Sequence, residues 1–167
     1  MKTSPFTGAA ILLLCGAAVC HALTPANVAG VGISYDAGVW KPVSTLAPPP
    51  PAASTTWENE RGHDVQITVR SRPEAKTDAE FKEGIVGAQQ LRGDPATLLR
   101  ERRASLGGRE WLVLEFRNPN TRPTRTETYY FTPTAKGHVS VFIVGDESTW
   151  ADRREPVQAF LEKIKVE

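Results

Sequence analysis

The stretch TLLRERRASLGGREWLVLEFR, residues 97–117, decides how this chain folds, because it predicts a long antiparallel hairpin. Gly107 and Gly108 separate two extended runs, and a Gly-Gly pair accepts the positive φ that tight hairpin turns require. In the second run Leu112, Leu114 and Phe116 alternate with other residues, which is the period of a strand with one apolar face.

The two-residue turn also predicts which residues face each other across the hairpin. The predicted pairs are Arg100 with Glu115, Arg102 with Val113, and Ala104 with Trp111. One face, opposite the apolar one, would then carry Arg100, Arg102, Trp111, Val113 and Arg117. Arginine and tryptophan are enriched at binding hot spots, and the arginine fork suits carboxylate or phosphate groups. We therefore expect a binding surface formed by Arg100, Arg102, Trp111 and Arg117.

Two other interpretations of this face stay open. Cross-strand pairs such as Arg100 with Glu115 would merely solubilise an exposed surface, or a helix would cover it. A bulge at the turn would shift the register and disperse the cluster. Arginine is nevertheless concentrated here, with eight arginines, no lysine and four acidic residues between residues 92 and 125.

Downstream, the sequence predicts a second hairpin and a closing helix. TETYYFT (126–132) and HVSVFIV (138–144) are extended runs joined by a turn that ends at Gly137. The last segment carries an apolar stripe at helical spacing, and Pro156 is expected in the first turn of the main helix, after a short turn or kink. That stripe consists of Trp150, Val157, Phe160, Leu161 and Ile164.

Upstream, Thr77 and Glu80 form a capping box that predicts a helix over residues 78–91, with Gly93 at the stop. Its predicted apolar face is Phe81, Ile85, Ala88 and Leu91. Val65, Ile67 and Val69 alternate as a strand that ends at Arg72-Pro73.

The N-terminal part contains more extended segments around a proline-rich loop. Val31, Ile33 and Tyr35 alternate with small residues, Val39–Pro42 follows, and Trp57 begins another extended segment that turns at residues 60–63. Between them, residues 45–56 are predicted to be a stiff surface loop, because Pro48–Pro51 favours polyproline II. The alternative role for this loop is a ligand for a proline-binding module.

Antiparallel strands with only two helices predict an α+β domain. The arrangement resembles the PsbP-like superfamily, which includes extrinsic photosystem subunits, DcrB-type bacterial envelope proteins and Ran-binding Mog proteins. The resemblance rests on GISYD-x-G-x-W (32–40), the capped helix near residue 80, the Gly107-Gly108 hairpin, TYYF…GHVSVFIV and the closing AFLEKIKV (159–166). It implies an antiparallel sheet flanked by helices, an α/β/α sandwich, that serves as a binding or assembly module. No functional residue of the family transfers to this chain.

The alternative architecture is an NTF2-like cone, whose long N-terminal helix is not evident here.

The first 22 residues are expected to be a signal peptide. Lys2 precedes an apolar run from Ala9 to Val19, which is too short to span a bilayer, and Cys20-His21-Ala22 fits cleavage after Ala22. Leu14 and Val19 precede the two cysteines and fit lipoprotein processing poorly, so a lipid anchor is the less favoured interpretation. We expect a periplasmic or secreted domain over residues 23–167, monomeric and without a transmembrane segment.

Charge and chemistry point away from nucleic acid and from catalysis. Lys2 is the only charged residue of the signal segment, so 20 basic residues become 19, against 19 acidic ones. Nucleic-acid proteins usually carry a strong basic excess. Beyond the signal segment the chain has no cysteine, no G-x-S-x-G elbow and only His63 and His138 as imidazoles. The acidic residues near the closing helix (Asp146, Glu147, Asp152, Glu155) suit its N-terminal dipole better than calcium.

The sequence therefore predicts an exported, non-catalytic binding or assembly-support module of the bacterial envelope, with no cofactor or metal. Its expected partner is an envelope protein or an anionic ligand. The alternatives are a small hydrolase or ligand-modifying enzyme with a site between sheet and helix, and a lipid-anchored structural subunit.

Overall fold

The computed structural model describes residues 22–43, 53–59, 65–93 and 95–166. Within these residues the chain forms ten strands and two helices. In chain order they are β1 (Leu23–Val28), β2 (Val31–Asp36), β3 (Trp40–Val43), β4 (Ala53–Asn59), β5 (Val65–Arg72), α1 (Asp78–Gln90), β6 (Thr97–Leu106), β7 (Arg109–Asn118), β8 (Arg125–Thr134), β9 (Gly137–Asp146), α2 (Glu147–Leu161) and β10 (Lys165–Val166).

Seven strands form one antiparallel sheet in the order β3-β4-β5-β9-β8-β7-β6. Because side chains alternate between faces along each strand, the sheet has two apolar faces, and each is covered by one helix. Phe81 of α1 packs on one face with Leu114 and Phe131, and Phe160 of α2 packs on the other with Trp57. This arrangement confirms the predicted α+β class and the α/β/α sandwich, and it is not the NTF2-like cone.

The predicted hairpin over residues 97–117 is confirmed, including its register. Arg100 pairs with Glu115, Arg102 with Val113, and Ala104 with Trp111. A register shift does occur, but it lies between Leu98 and Arg100, at the far end from the turn, so it leaves those pairs intact.

A second, three-stranded sheet has the order β1-β2-β10. β1 and β2 are joined by a tight turn in which Ala29 and Gly30 both have positive φ, 45° and 86°. Val31, Ile33 and Tyr35 of β2 belong to the same buried core as Trp57 and α2. β1 was not predicted, because its sequence LTPANV contains a proline and does not alternate in polarity.

Helix α1 begins as predicted and ends one residue earlier. Both hydrogen bonds of the capping box between Thr77 and Glu80 are present, and Leu91 is the C-cap. The predicted apolar face is wrong in its second half, because Ala88 and Leu91 are exposed and the neighbouring Gln89 is buried.

Two further predictions need correction. The closing helix is a single α-helix from Glu147 with Pro156 inside it, and not a helix that starts at Pro156. The predicted proline-rich loop over residues 45–56 is shorter than expected at its C-terminal end, because Ala53–Asn59 is strand β4. Residues 44–52 lie outside the described residues.

The turn containing His63 and all of the predicted signal segment except Ala22 also lie outside the described residues. None of the helices in the described part of the chain is long and apolar enough to cross a membrane.

Candidate functional site

A polar cleft of about 560 Å³ lies between helix α2 and the β6–β7–β8 part of the large sheet. We call it the arginine cleft. The sheet contributes the side chains of Arg100, Arg102, Glu115, Thr126, Thr128 and Tyr130. The helix contributes Trp150, Arg154, Val157, Gln158 and Leu161.

Strand and helix periodicity explain why these residues meet. Thr126, Thr128 and Tyr130 are alternate residues of β8, so they share one face with Arg100 and Arg102 of β6. On α2, positions 150, 154, 158 and 161 lie three or four residues apart and therefore form one stripe. The deeper residues Val157 and Leu161 are buried in the core, which leaves the polar ends of the stripe to line the cleft.

Arg102 is held in place by its neighbours. Its Nε donates a hydrogen bond of 2.9 Å to Oε1 of Glu115. Partial burial lowers the pKa of the Arg102 guanidinium, but the hydrogen bond to Glu115, the charge of Glu115 and the hydrogen bond to Tyr130 outweigh it and raise the pKa above its ordinary value. Burial raises the pKa of Tyr130 although Arg102 opposes this, so Tyr130 keeps its proton at neutral pH and remains a hydrogen-bond donor.

Arg100 and Arg154 present cationic groups from opposite walls of the cleft. Both are exposed, and neither forms an ion pair with any carboxylate of the described residues. Of the described residues, three arginines and one carboxylate line the cleft, and that carboxylate, Glu115, already neutralises Arg102. The arrangement can bind an anion, because guanidinium groups make strong charge-assisted hydrogen bonds to carboxylate and phosphate.

The structure brings together only two of the four residues predicted for the binding surface. Arg100 and Arg102 line the arginine cleft. Arg117 lies on the same face but outside the cleft lining, where its guanidinium contacts Glu147, the first residue of α2, at 2.9 Å. Trp111 is 1% exposed, and its indole Nε1 donates to the carbonyl of Leu106 at 3.1 Å. The predicted surface role of Trp111 is therefore wrong, because α2 and the hairpin turn bury that part of the face.

Sequence reasoning missed the other half of the cleft. The alternation of TETYY contained a signal for Thr126, Thr128 and Tyr130, since it places them on the face of Arg100. Trp150 and Arg154 carried no such signal, because the position of α2 over this end of the sheet depends on the tertiary fold.

The buried titratable groups elsewhere have structural roles. His138, the second residue of β9, is buried, with its ring beside Phe81 and Phe131 and its Nδ1 2.7 Å from the carbonyl oxygen of Glu74. It lies under α1, on the face opposite the arginine cleft. Among the described residues, no three His, Cys, Asp or Glu side chains gather closely enough to hold a metal ion.

A buried carboxylate, Glu127, fixes the end of α1. Gln89 Nε2 donates to it at 2.7 Å, Arg92 Nη1 at 2.6 Å and the Tyr129 hydroxyl at 3.1 Å. Burial, followed by the charge of Glu127, raises the pKa of Tyr129, so the phenol stays protonated and keeps donating. This cluster is internally satisfied and offers no free group to a ligand.

A second cavity, of about 320 Å³, lies between β2 and α2. Its walls are mainly apolar, with Tyr35, Trp40 and Phe160 among them. The charged groups at this cavity, which include Glu155 and Lys163, are of mixed sign. It therefore does not select a ligand by charge as the arginine cleft does.

Comparison with known proteins supports the fold. No protein-family model and no curated protein sequence matches the chain. Among solved structures, it is similar to the solution structure of cyanobacterial PsbP (CyanoP) from Synechocystis sp. PCC 6803. The two are 18% identical, with a TM-score of 0.61 over 93% of this chain and 99% of that one. The chain has the PsbP-like fold.

Proposed function

We propose that this protein is an exported, non-catalytic binding or assembly-support module of the bacterial envelope, and that the arginine cleft holds an anionic partner or ligand. The observation that carries the proposal is the pair Arg100 and Arg154, two arginines without an ion-pair partner among the described residues, on opposite walls of one cleft. A hydrogen bond to a charged group contributes about 1.5–3 kcal/mol, which is enough for each arginine to change affinity tenfold or more.

Export is supported by the sequence of the N-terminal segment. The apolar run from Ala9 to Val19 and the small residues before Leu23 fit a cleaved signal peptide. Intact mass of the purified protein tests this directly. A mass matching residues 23–167 supports the periplasmic or secreted location, whereas an added acyl mass would establish the lipid-anchored subunit instead.

The enzymatic alternative finds little support in the cleft. Hydrolysis by a nucleophile would need a base within hydrogen-bond reach of it. The carboxylate that lines the cleft, Glu115, is engaged by Arg102, and the described histidine, His138, lies on the other face of the sheet. Binding therefore accounts for these side chains better than catalysis.

Cross-linked co-purification tests the proposed function. The tagged chain with its own signal would be expressed in the native host as wild type, as the double variant R100A/R154A, and as R70A. Arg70 is an exposed arginine on the opposite face of the sheet, so R70A removes a charge without touching the cleft.

We expect a stoichiometric partner or a retained anionic ligand with the wild type and with R70A, and its loss with R100A/R154A. Equal recovery with all three proteins would show that the cleft is not the binding site. Circular dichroism of each variant checks that it is folded.

A further inference from the structure

The floor of the arginine cleft is rich in hydroxyl and amide groups. Thr126, Thr128 and Tyr130 line it from β8, and Gln158 faces them from α2. The charges explain why an anion would enter, but they do not require this second set of polar groups. Within the protein the Thr126 hydroxyl donates to the carbonyl oxygen of Gly145 and the Gln158 amide to Glu162, and both keep oxygen atoms that can accept from a ligand.

The hydroxyl of Thr128 is the clearest case. Thr128 is 7% exposed, and its side chain makes no hydrogen bond to any other described residue. Among the described residues the fully buried side-chain polar atom without a partner is Trp57 Nε1, so the Thr128 hydroxyl is reached by water from the cleft, and a ligand hydroxyl can replace that water. Tyr130 adds a protonated phenol on the same face, two residues along β8.

Trp150 supplies the apolar contact. Its partly exposed indole stands on the helical wall of the cleft, near the polar stripe that continues through Arg154 and Gln158. A flat aromatic face packs well against the C–H face of a sugar ring, while the ring hydroxyls remain free to reach side groups. The volume of the cleft, about 560 Å³, is within the range of roughly 300–1,000 Å³ found for small-molecule sites.

From this lining we infer that the ligand is a hydroxylated anion, a sugar or polyol that carries a carboxylate or a phosphate. The inference rests on the proposed function and narrows it. Arg100 and Arg154 hold the anionic group, and the β8 hydroxyls with Gln158 pair with the hydroxyls of the ligand. A simple dicarboxylate would satisfy the arginines but brings no hydroxyl that could donate to the oxygens of Thr126, Thr128 and Gln158.

Isothermal titration of the full purified chain with four probes tests this. Glucuronate and glucose 6-phosphate combine hydroxyls with a negative charge, succinate has charge without hydroxyls, and glucose has hydroxyls without charge. We expect at least one of the two hydroxylated anions to bind about tenfold or more tightly than succinate and glucose, since each matched polar group contributes to discrimination. The better of the two tells a carboxylate ligand from a phosphate ligand.

Variants connect the preference to the residues. T128V keeps the shape of the side chain and removes the hydroxyl. Q158L removes the amide at an exposed helix position, where it also donates to Glu162, and circular dichroism checks that the variant is folded. Either variant should reduce the preference for the hydroxylated anion over succinate by about tenfold while leaving succinate binding unchanged. R100A/R154A should abolish binding of all the anions.

The outcomes separate the inference from the function on which it rests. If succinate binds as tightly as both hydroxylated anions, or if glucose does, the ligand class inferred here is wrong while a binding site remains. If none of the four probes binds, the inference is overturned, and recovery of a protein partner in the cross-linking experiment would still support the proposed function.

Discussion

Gly107 shows how a single residue fixes the position of the long hairpin. Its φ is +57°, and a Cβ at this position would collide with the backbone carbonyl oxygen of Ile164. Gly108, its neighbour in the turn, has a φ of +77° but open space around it. The two glycines therefore share the same conformational demand and differ only in their surroundings.

Substitutions at these two glycines should therefore lower the free energy of unfolding by different amounts. Both G107A and G108A place a Cβ in the left-handed region, which costs about 1–2 kcal/mol. G107A must also push the hairpin away from the segment after α2, so we expect its free energy of unfolding to fall by several kcal/mol, clearly more than that of G108A. Urea denaturation measures both, and equal losses would mean that the contact with Ile164 is unimportant.

For Gly107, the sequence predicted the hairpin turn but not the contact with Ile164. The positive φ of Gly107 and Gly108 follows from the hairpin pattern, because few other residues adopt it. The contact with Ile164 joins residues far apart in sequence, and no local pattern contains it. The same limit applies to the candidate site: Arg100 and Arg102 were predicted from register, whereas the burial of Trp111 depends on the tertiary packing around it.

Among the elements, helix α1 has the clearest local control of its start. Glu80 accepts hydrogen bonds from the backbone N–H of Thr77 at 2.7 Å and from its hydroxyl at 2.9 Å. These bonds lower the pKa of Glu80 below its ordinary value of 4.5. A carboxyl whose pKa is lowered on folding stabilises the native state above the unfolded pKa, and this contribution is lost as the pH falls through the folded pKa.

The acid dependence of stability should therefore change in E80Q. We expect wild type to be more stable than E80Q near neutral pH, and the difference to shrink as the pH falls below 4.5. E83Q, at an exposed position of the same helix, is the matched control. Chemical denaturation at a series of pH values gives the comparison. A constant difference between wild type and E80Q from pH 7 to about 3 would contradict the role of the ionised carboxylate in the cap.

Elements were predicted well where local signals were strong. The capping box predicted the start of α1, and the alternation of apolar residues predicted β2 and β5. β1 is a strand because it pairs with β2, for example Ala26 with Ile33, although its own sequence resembles a loop. α2 continues through Pro156 in spite of the hydrogen bond that proline cannot donate, because Val157, Phe160 and Leu161 are buried in the core.

For the whole molecule, Trp57 joins the separate layers. It lies on β4 of the large sheet, is fully buried, and makes edge-to-face contacts with Tyr35 of the small sheet and Phe160 of α2. The ring centroids are 5.9 Å and 5.4 Å apart. Because one side chain contacts both sheets and the helix, the three parts should unfold together.

Replacement of Trp57 tests this cooperativity. W57A leaves a large cavity among aromatic rings, so we expect a loss of about 3–5 kcal/mol in the free energy of unfolding. W57F keeps a ring at the centre and also removes an indole N–H that has no partner among the described residues, so its loss should be smaller, about 2 kcal/mol or less. In both variants, urea transitions followed by far-UV circular dichroism and by tryptophan fluorescence should coincide, as they do in two-state unfolding. If W57A instead shows two separate transitions, the small sheet and α2 can melt while the seven-stranded sheet stays folded, and Trp57 is not what makes the domain one cooperative unit.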